Sequence, residues 1–441
     1  MYLLGIDIGT SSIKVSVVDI HTQKSVVSAQ YPEEEATIKS LHTGWAEQSP
    51  SDWWQHTQQA ITKVNAAGLF DPKQIKAIGI AYQMHGLVVV DAAQQVLRDS
   101  IIWCDSRAVE IGEKAFDEIG HQKSLKSLLN SPGNFTASKL AWVKQNEPEC
   151  YNNIDKIMLP GDFIAMKLTG EITTSISALS EGIFWDFEKD EISTSIMDYY
   201  GFEKEIIPPI RPLFSTHGLV KEEIAKLLNL TPGIPVAYKA GDQPNNALSL
   251  NVLKPGEVAA TAGTSGVIYG VSDSLTYDQQ SRVNTFAHVT YAPTNKHTGV
   301  LLCINGTGSM YRWAKNTFAP HLSYSELNEI AAQAPIGSKG LKVLPFGNGA
   351  ERMLNNKYTG AELLGIDLNI HTQSDIFRAV QEGIAFSFRY GLDILRENGM
   401  QPKVIRAGSA NLFLSDLFAQ TFVDLTGIPV ELYENDGSVG A

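Results

Sequence analysis

Tyr2-Leu3-Leu4-Gly5-Ile6-Asp7-Ile8-Gly9-Thr10-Ser11-Ser12-Ile13-Lys14-Val15-Ser16-Val17-Val18-Asp19 opens the chain as two apolar, β-rich runs broken by a Gly-Thr-Ser turn without proline. About halfway along, Glu257-Val258-Ala259-Ala260-Thr261-Ala262-Gly263-Thr264-Ser265-Gly266-Val267-Ile268-Tyr269-Gly270-Val271 repeats the layout. Glycine at such a turn lets the backbone approach an anion, and successive N–H groups and hydroxyls then donate to phosphate oxygens. A single Gly-Thr-Ser is most simply a hairpin turn. Two of them in matching contexts read as an internal duplication, two related α/β lobes whose opposed turns clamp a nucleotide's phosphates.

At 441 residues the chain is too long for one core and fits two domains. The expected division is residues 1–245 and 246–441, with a boundary near 245–255 that carries no low-complexity linker and so reads as a packed hinge. The charge of −13, from 35 Lys+Arg against 48 Asp+Glu, argues against a general affinity for nucleic acid or an anionic membrane, so an anionic ligand needs local donors. Cys104, Cys150 and Cys303 are far apart and odd in number, which suits a reducing cytoplasm better than a disulfide framework or zinc knuckle. No stretch approaches the roughly 18 apolar residues of a membrane span, and the N-terminus has no leader pattern.

Strands are predicted at about 2–9, 12–19, 26–31, 76–82 and 86–91. Helices are predicted at 50–66, 108–119, 138–146, 162–168, 221–228, 324–334 and 375–397, the first from a Ser49-Pro50-Ser51-Asp52 start and the last stopped by Gly399.

Five places carry candidate chemistry. Asp7 lies between Ile6 and Ile8, so alternation turns its carboxylate away from the core and beside the turn, where it suits Mg²⁺ or merely caps the turn. Lys14 begins the returning strand, within reach of phosphate or simply solvated. Asp242 follows a strand ending in Gly241, where α/β proteins usually hold ligands; it is the candidate base for phosphoryl transfer to a hydroxyl, or a cap for the next helix. Gln83-Met84-His85-Gly86 clusters neutral donors and acceptors at a strand break, suited to a hydroxylated substrate or to a structural turn. Asp105 and Arg107 end another strand as a second polar pair or an internal salt bridge.

These segments together resemble the FGGY family of carbohydrate kinases, and within it the xylulokinases. The resemblance runs through Gly5–Ser11, Gly44-Trp45-Ala46-Glu47-Gln48, Thr136 with Lys139–Asn146, Leu159-Pro160-Gly161-Asp162, Gly241-Asp242-Gln243, Gly263-Thr264-Ser265, Leu364-Gly365-Ile366 and Arg378–Gly383. It implies a two-lobed actin-like ATPase fold of ribonuclease-H-like sheets with an interlobe cleft, sugar on the first lobe and ATP on the second. Residue by residue, it implies Asp242 as catalytic base, Asp7 near Mg²⁺, Thr10, Ser11 and Lys14 as the first phosphate loop, and Gly263 and Thr264 as the second. Met84 and His85 match the sugar-contacting pair, with Gln243 beside the base; glycerol kinases carry Arg-Glu where this chain has Met84-His85.

Two departures stand out. The adenosine loop, usually a run of glycines followed by alanine, reads Arg406-Ala407-Gly408-Ser409-Ala410-Asn411; Gly408, Ser409 and Asn411 are the candidate nucleotide contacts, and the extra side chains put nucleotide preference in question. The chain stops at Ala441 where relatives continue into further helices, so the second lobe is expected to be shortened. The expected activity is ATP- and Mg²⁺-dependent phosphorylation of D-xylulose to D-xylulose 5-phosphate. Alternatives are a kinase for ribulose, gluconate, fuculose, glycerol or another polyol, or a non-catalytic sugar- and nucleotide-binding regulator. The expected partners are the sugar and ATP, with a homodimer left open.

Overall fold

The computed structural model describes residues 1–434 and 436–441. The chain divides into two compact units. The first comprises Met1–Ser249, Phe286–Lys296 and Asp436–Ala441; the second comprises Leu250–Thr285 and the described residues from His297 to Glu434.

In the first unit β1 (Tyr2–Ile8), β2 (Ile13–Asp19), β3 (Ser25–Tyr31), β4 (Ile75–Tyr82) and β5 (Val236–Gly241) form a sheet of order β5-β4-β1-β2-β3. The β1-β2 and β2-β3 pairs are antiparallel, and the β1-β4 and β4-β5 pairs are parallel. In the second unit β6 (Glu257–Ala262), β7 (Gly266–Ser272), β8 (Thr298–Ile304), β9 (Val404–Gly408) and β10 (Val430–Tyr433) run in the order β8-β7-β6-β9-β10 with the same pattern of senses. The two Gly-Thr-Ser segments therefore sit at equivalent points, each at the tip of the first hairpin of its sheet.

Alternation along β1 puts Leu4, Ile6 and Ile8 into the core. On its other face the short helix Gly437–Gly440 lies on the cross-strand pair Gly5 and Gly79. A Cβ at Gly5 would fall 1.8 Å from the Ser438 carbonyl oxygen, and one at Gly79 1.8 Å from that of Ala441, so both positions require glycine.

The helix Pro50–Ala66 spans the predicted residues, with the Ser49 side chain accepting from the Asp52 N–H and Trp53, Ala60, Ile61 and Val64 packed on the sheet. The long helix of the second unit, Gln373–Glu397, starts two residues before the prediction because Thr372 and Asp375 form a capping box. Its Phe377, Val380, Ile384, Phe388, Leu392 and Leu395 recur at helical spacing in the core. Among the described residues, no helix is long and apolar enough to cross a membrane.

Two buried ion clusters stiffen the first unit. Lys239 on β5 donates to Asp162 at 2.5 Å and to the Thr173 carbonyl at 2.7 Å, tying the strand that delivers Asp242 to the helix Pro160–Thr169. Arg107 pairs with Asp105 and Glu47 at 2.7 Å each and lies 3.8 Å over the Trp45 ring, so the Asp105–Arg107 pair is an internal salt bridge.

Candidate active site

The first unit gathers its polar groups by topology. Strands β5, β4 and β1 are parallel neighbours, so their C-terminal ends fall on one edge of the sheet. Asp242 follows β5, Gln83-Met84-His85 follows β4, and Asp7 is the penultimate residue of β1. With strands about 4.8 Å apart, the two aspartates are about 10 Å apart along the edge, with the Gln-Met-His segment between them.

Burial pushes the Asp7 carboxyl up to about 6, with nearby Lys14 opposing the shift. Asp242, the first residue of the helix Asp242–Ser249, is pushed up to about 7, first by burial and then by the charge of Asp7, while hydrogen bonds from Gln243 pull the other way. A carboxyl poised near neutrality suits a general base. Lys14, opposite Asp7 across the hairpin, is ion-paired with Asp436. Thr10 is heavily used: its hydroxyl donates to Gln83 Oε1 at 3.1 Å and accepts from Trp103 Nε1 at 2.9 Å, and its carbonyl accepts from Gln48 at 2.7 Å. Ser11 is exposed at the tip.

Met84 is buried, and the His85 ring packs against Phe135 and Phe286 with centroids 4.9 and 5.4 Å apart. Lys139 is fully buried, brought down to about 7 by burial, and donates to the His85 carbonyl at 2.8 Å. Glu181 is also fully buried, and burial pushes its carboxyl well above the ordinary range.

In the second unit the other turn borders a cavity of about 510 Å³ lined by Gly263, Thr264, Gly308, Tyr311, Arg312, Tyr324, Asn328, Asn411, Leu412 and Leu414, among others. The helix Gly308–Phe318 points its N-terminus at the turn: the N–H groups of Gly308 and Ser309 donate to the carbonyls of Gly263 and Thr264 at 2.8 and 3.1 Å. A cavity with two tyrosines, one arginine and a helix N-terminus at its rim suits a base at one end and phosphates at the other. Of the predicted nucleotide contacts, Gly263, Thr264 and Asn411 line it; Gly408 ends β9, and the Ser409 N–H is spent on the Tyr433 carbonyl at 2.8 Å.

Among the described residues, no three His, Cys, Asp or Glu side chains are grouped to cage a metal ion. A hydrated Mg²⁺ needs no cage, since it binds through one or two carboxylates and phosphate oxygens. Asp7, whose proton is held by burial and whose carboxylate would be stabilised by a cation, fits that use.

Several lining residues were not assigned from sequence. Glu181, between Ser180 and Gly182-Ile183-Phe184-Trp185, and Lys139, on the apolar helix Thr136–Asn146, each carried a signal: one charge inside an apolar run is buried and needs a partner. Tyr311, Arg312 and Asn328 carried none, because nothing local marks a helix face as a cavity wall.

The duplicated sheet order defines the actin-like ATPase fold. The N-terminal domain model of the FGGY family of carbohydrate kinases matches residues 2–249 and its C-terminal domain model matches residues 258–441, so the chain belongs to that family of kinases. It is 32% identical over 416 residues to a xylulose kinase of Haemophilus influenzae, covering 92% of this chain and 82% of the relative. It is 29% identical over 442 residues to a xylulose kinase of Escherichia coli, covering 100% and 87%. Its fold matches the crystal structure of xylulose kinase from Rhodospirillum rubrum with a TM-score of 0.89 at 25% identity, over 100% of this chain and 88% of that one.

Proposed function

We propose that the chain transfers the γ-phosphoryl group of ATP to D-xylulose, giving D-xylulose 5-phosphate. The first unit holds the sugar and the second the nucleotide. The observation that carries the reading is Asp242, held near neutral pKa beside Met84-His85 at the edge of the parallel strands. The names of the relatives supply the sugar.

His85, Gln243 and the Phe286 ring orient the ketose, whose terminal hydroxyl faces Asp242. The Asp242 carboxylate takes the hydroxyl proton as the oxygen attacks the γ-phosphorus, and ADP leaves with the bridging oxygen. Mg²⁺ held through Asp7 would neutralise charge on the phosphate oxygens. The cavity of the second unit binds adenosine, with the Gly263-Thr264 turn at its edge facing the phosphates. Three cysteines dispersed along the chain, Cys104, Cys150 and Cys303, and the use of ATP suit a cytoplasmic setting. ADP formation assayed with D-xylulose, D-ribulose, gluconate and glycerol tests the reading; preference for any sugar but D-xylulose would refute the substrate assignment.

A further inference from the structure

His85 is not glycine, yet it holds φ at 63°, a region L-residues rarely enter. Three hydrogen bonds keep it there. Its N–H donates to Glu181 Oε1 at 3.2 Å, its ring Nδ1 lies 3.0 Å from the Glu181 carbonyl oxygen, and its own carbonyl accepts from Lys139 Nζ at 2.8 Å. A carbonyl oxygen only accepts, so Nδ1 carries the proton, and in the neutral ring Nε2 is then the accepting nitrogen.

Glu181 is the last residue of the helix Ile176–Glu181, 1% exposed. The same helix fixes the aromatic wall, since the Ser180 hydroxyl accepts from the Ala287 N–H at 2.9 Å and the Ser177 hydroxyl donates to the Ala287 carbonyl at 3.1 Å, next to Phe286. The second carboxyl oxygen, Oε2, has no hydrogen-bond partner among the described residues. It sits under the residue before Asp242: a Cβ on Gly241 would fall 2.7 Å from Oε2 and 2.6 Å from Met84 Cγ. One buried side chain thus touches the strand end that carries His85 and the strand end that carries Asp242.

We propose that Glu181 is a positioning residue of the sugar site: its buried carboxyl, by accepting from the His85 N–H and lying under Gly241, holds the left-handed backbone of His85 and sets that residue beside Asp242. The inference rests on the reading of this edge as the sugar site. Burial first, and then the charges of Asp242 and Asp162, push the Glu181 carboxyl up, while the His85 N–H and the Lys139 ammonium pull it down. The carboxyl gives the His85 N–H its acceptor at Oε1. What this role requires is an acceptor oxygen at Oε1, not a charge.

Two variants separate these requirements. Glu181→Gln keeps the acceptor and the volume, and Glu181→Leu keeps the volume alone. The expected result is that E181Q stays within about threefold of the parent in the KM for ketose, while E181L raises that KM by about 10- to 100-fold with the KM for ATP unchanged. E181Q as impaired as E181L, or E181L with the parental sugar KM, would overturn the proposal. Exchange of the His85 amide proton gives a readout independent of catalysis: it is expected to be as slow in E181Q as in the parent and faster in E181L while the amides of Ile78–Tyr82 keep their protection, and equal protection of the His85 amide in all three would overturn the proposal. If the parent turned over no ketopentose, the functional reading would fall while the exchange of the His85 amide still decided the role of Glu181.

Discussion

Asp242→Asn should make the protein a poorer enzyme and a more stable one. The Asp242 carboxyl is raised from 3.8 to about 7 in the folded protein, so the fold favours its protonated form. The folded state therefore binds this proton more tightly than the unfolded chain does, and stability falls as pH rises from about 4 to about 7. Asparagine is always neutral and escapes that loss. A shift of roughly three pH units corresponds to at most about 4 kcal/mol at about 1.4 kcal/mol per unit. Asp242 retains some solvent contact, which screens it, so the expected gain is about 1–3 kcal/mol at pH 8 and less than half of that at pH 5. Urea unfolding of both proteins at the two pH values reads it directly; a rise in Tm of about 2–4 °C per kcal/mol should accompany it. Turnover should fall by about 10²–10⁴-fold, as loss of a general base requires. An asparagine variant that is no more stable at pH 8, or whose gain is the same at both pH values, would refute the assignment of a strained, partly desolvated carboxylate.

The rate with saturating sugar and ATP should rise through a midpoint near pH 7 as Asp242 loses its proton; a profile flat from pH 5.5 to 8.5 would exclude it as the base. His85→Ala should raise the KM for ketose about 5- to 30-fold, the equivalent of about 1–2 kcal/mol, and leave the KM for ATP within twofold. Asp162→Ala strands Lys239 in the core and should cost about 3–5 kcal/mol, largely recovered when Lys239→Met is added, as equilibrium unfolding would show. Gly308→Ala puts a Cβ 2.4 Å from the Gly263 carbonyl oxygen, so steady-state kinetics should show a weaker KM for ATP with little change for sugar.

What could be read from the chain followed from local rules. The β1-β2 hairpin, the helix Pro50–Ala66 and the long helix Gln373–Glu397 carry strong periodicity and proper caps, so their type and extent were legible. The helices Gly308–Phe318 and Asp416–Thr426 lie outside the predicted segments; Gly308 opens the first without a side-chain cap, whereas Ser415 caps the second. At the candidate site, Asp7 and Asp242 stand out in the sequence because Asp7 lies near the end of a strand just before Gly9 and Asp242 follows a strand that ends in Gly241. Glu181 and Lys139 do not, because their importance lies in what they touch: a carboxyl against a backbone N–H 96 positions away is tertiary information. Lys14 shows the converse, as a side chain whose strand position was plain but whose ion partner, Asp436, lies at the far end of the chain.

The central claim is that this kinase phosphorylates a ketopentose using Asp242 as the base, and coupled measurement of ADP formation with D-xylulose, alongside the Asp242→Asn variant, tests it most directly. The account predicts sugar-dependent ADP release with D-xylulose giving the highest kcat/KM of the panel, lost by about 10²–10⁴-fold in the variant while xylulose binding measured by calorimetry persists. ADP release that does not depend on D-xylulose, or that survives in the variant at the parental rate, would contradict it.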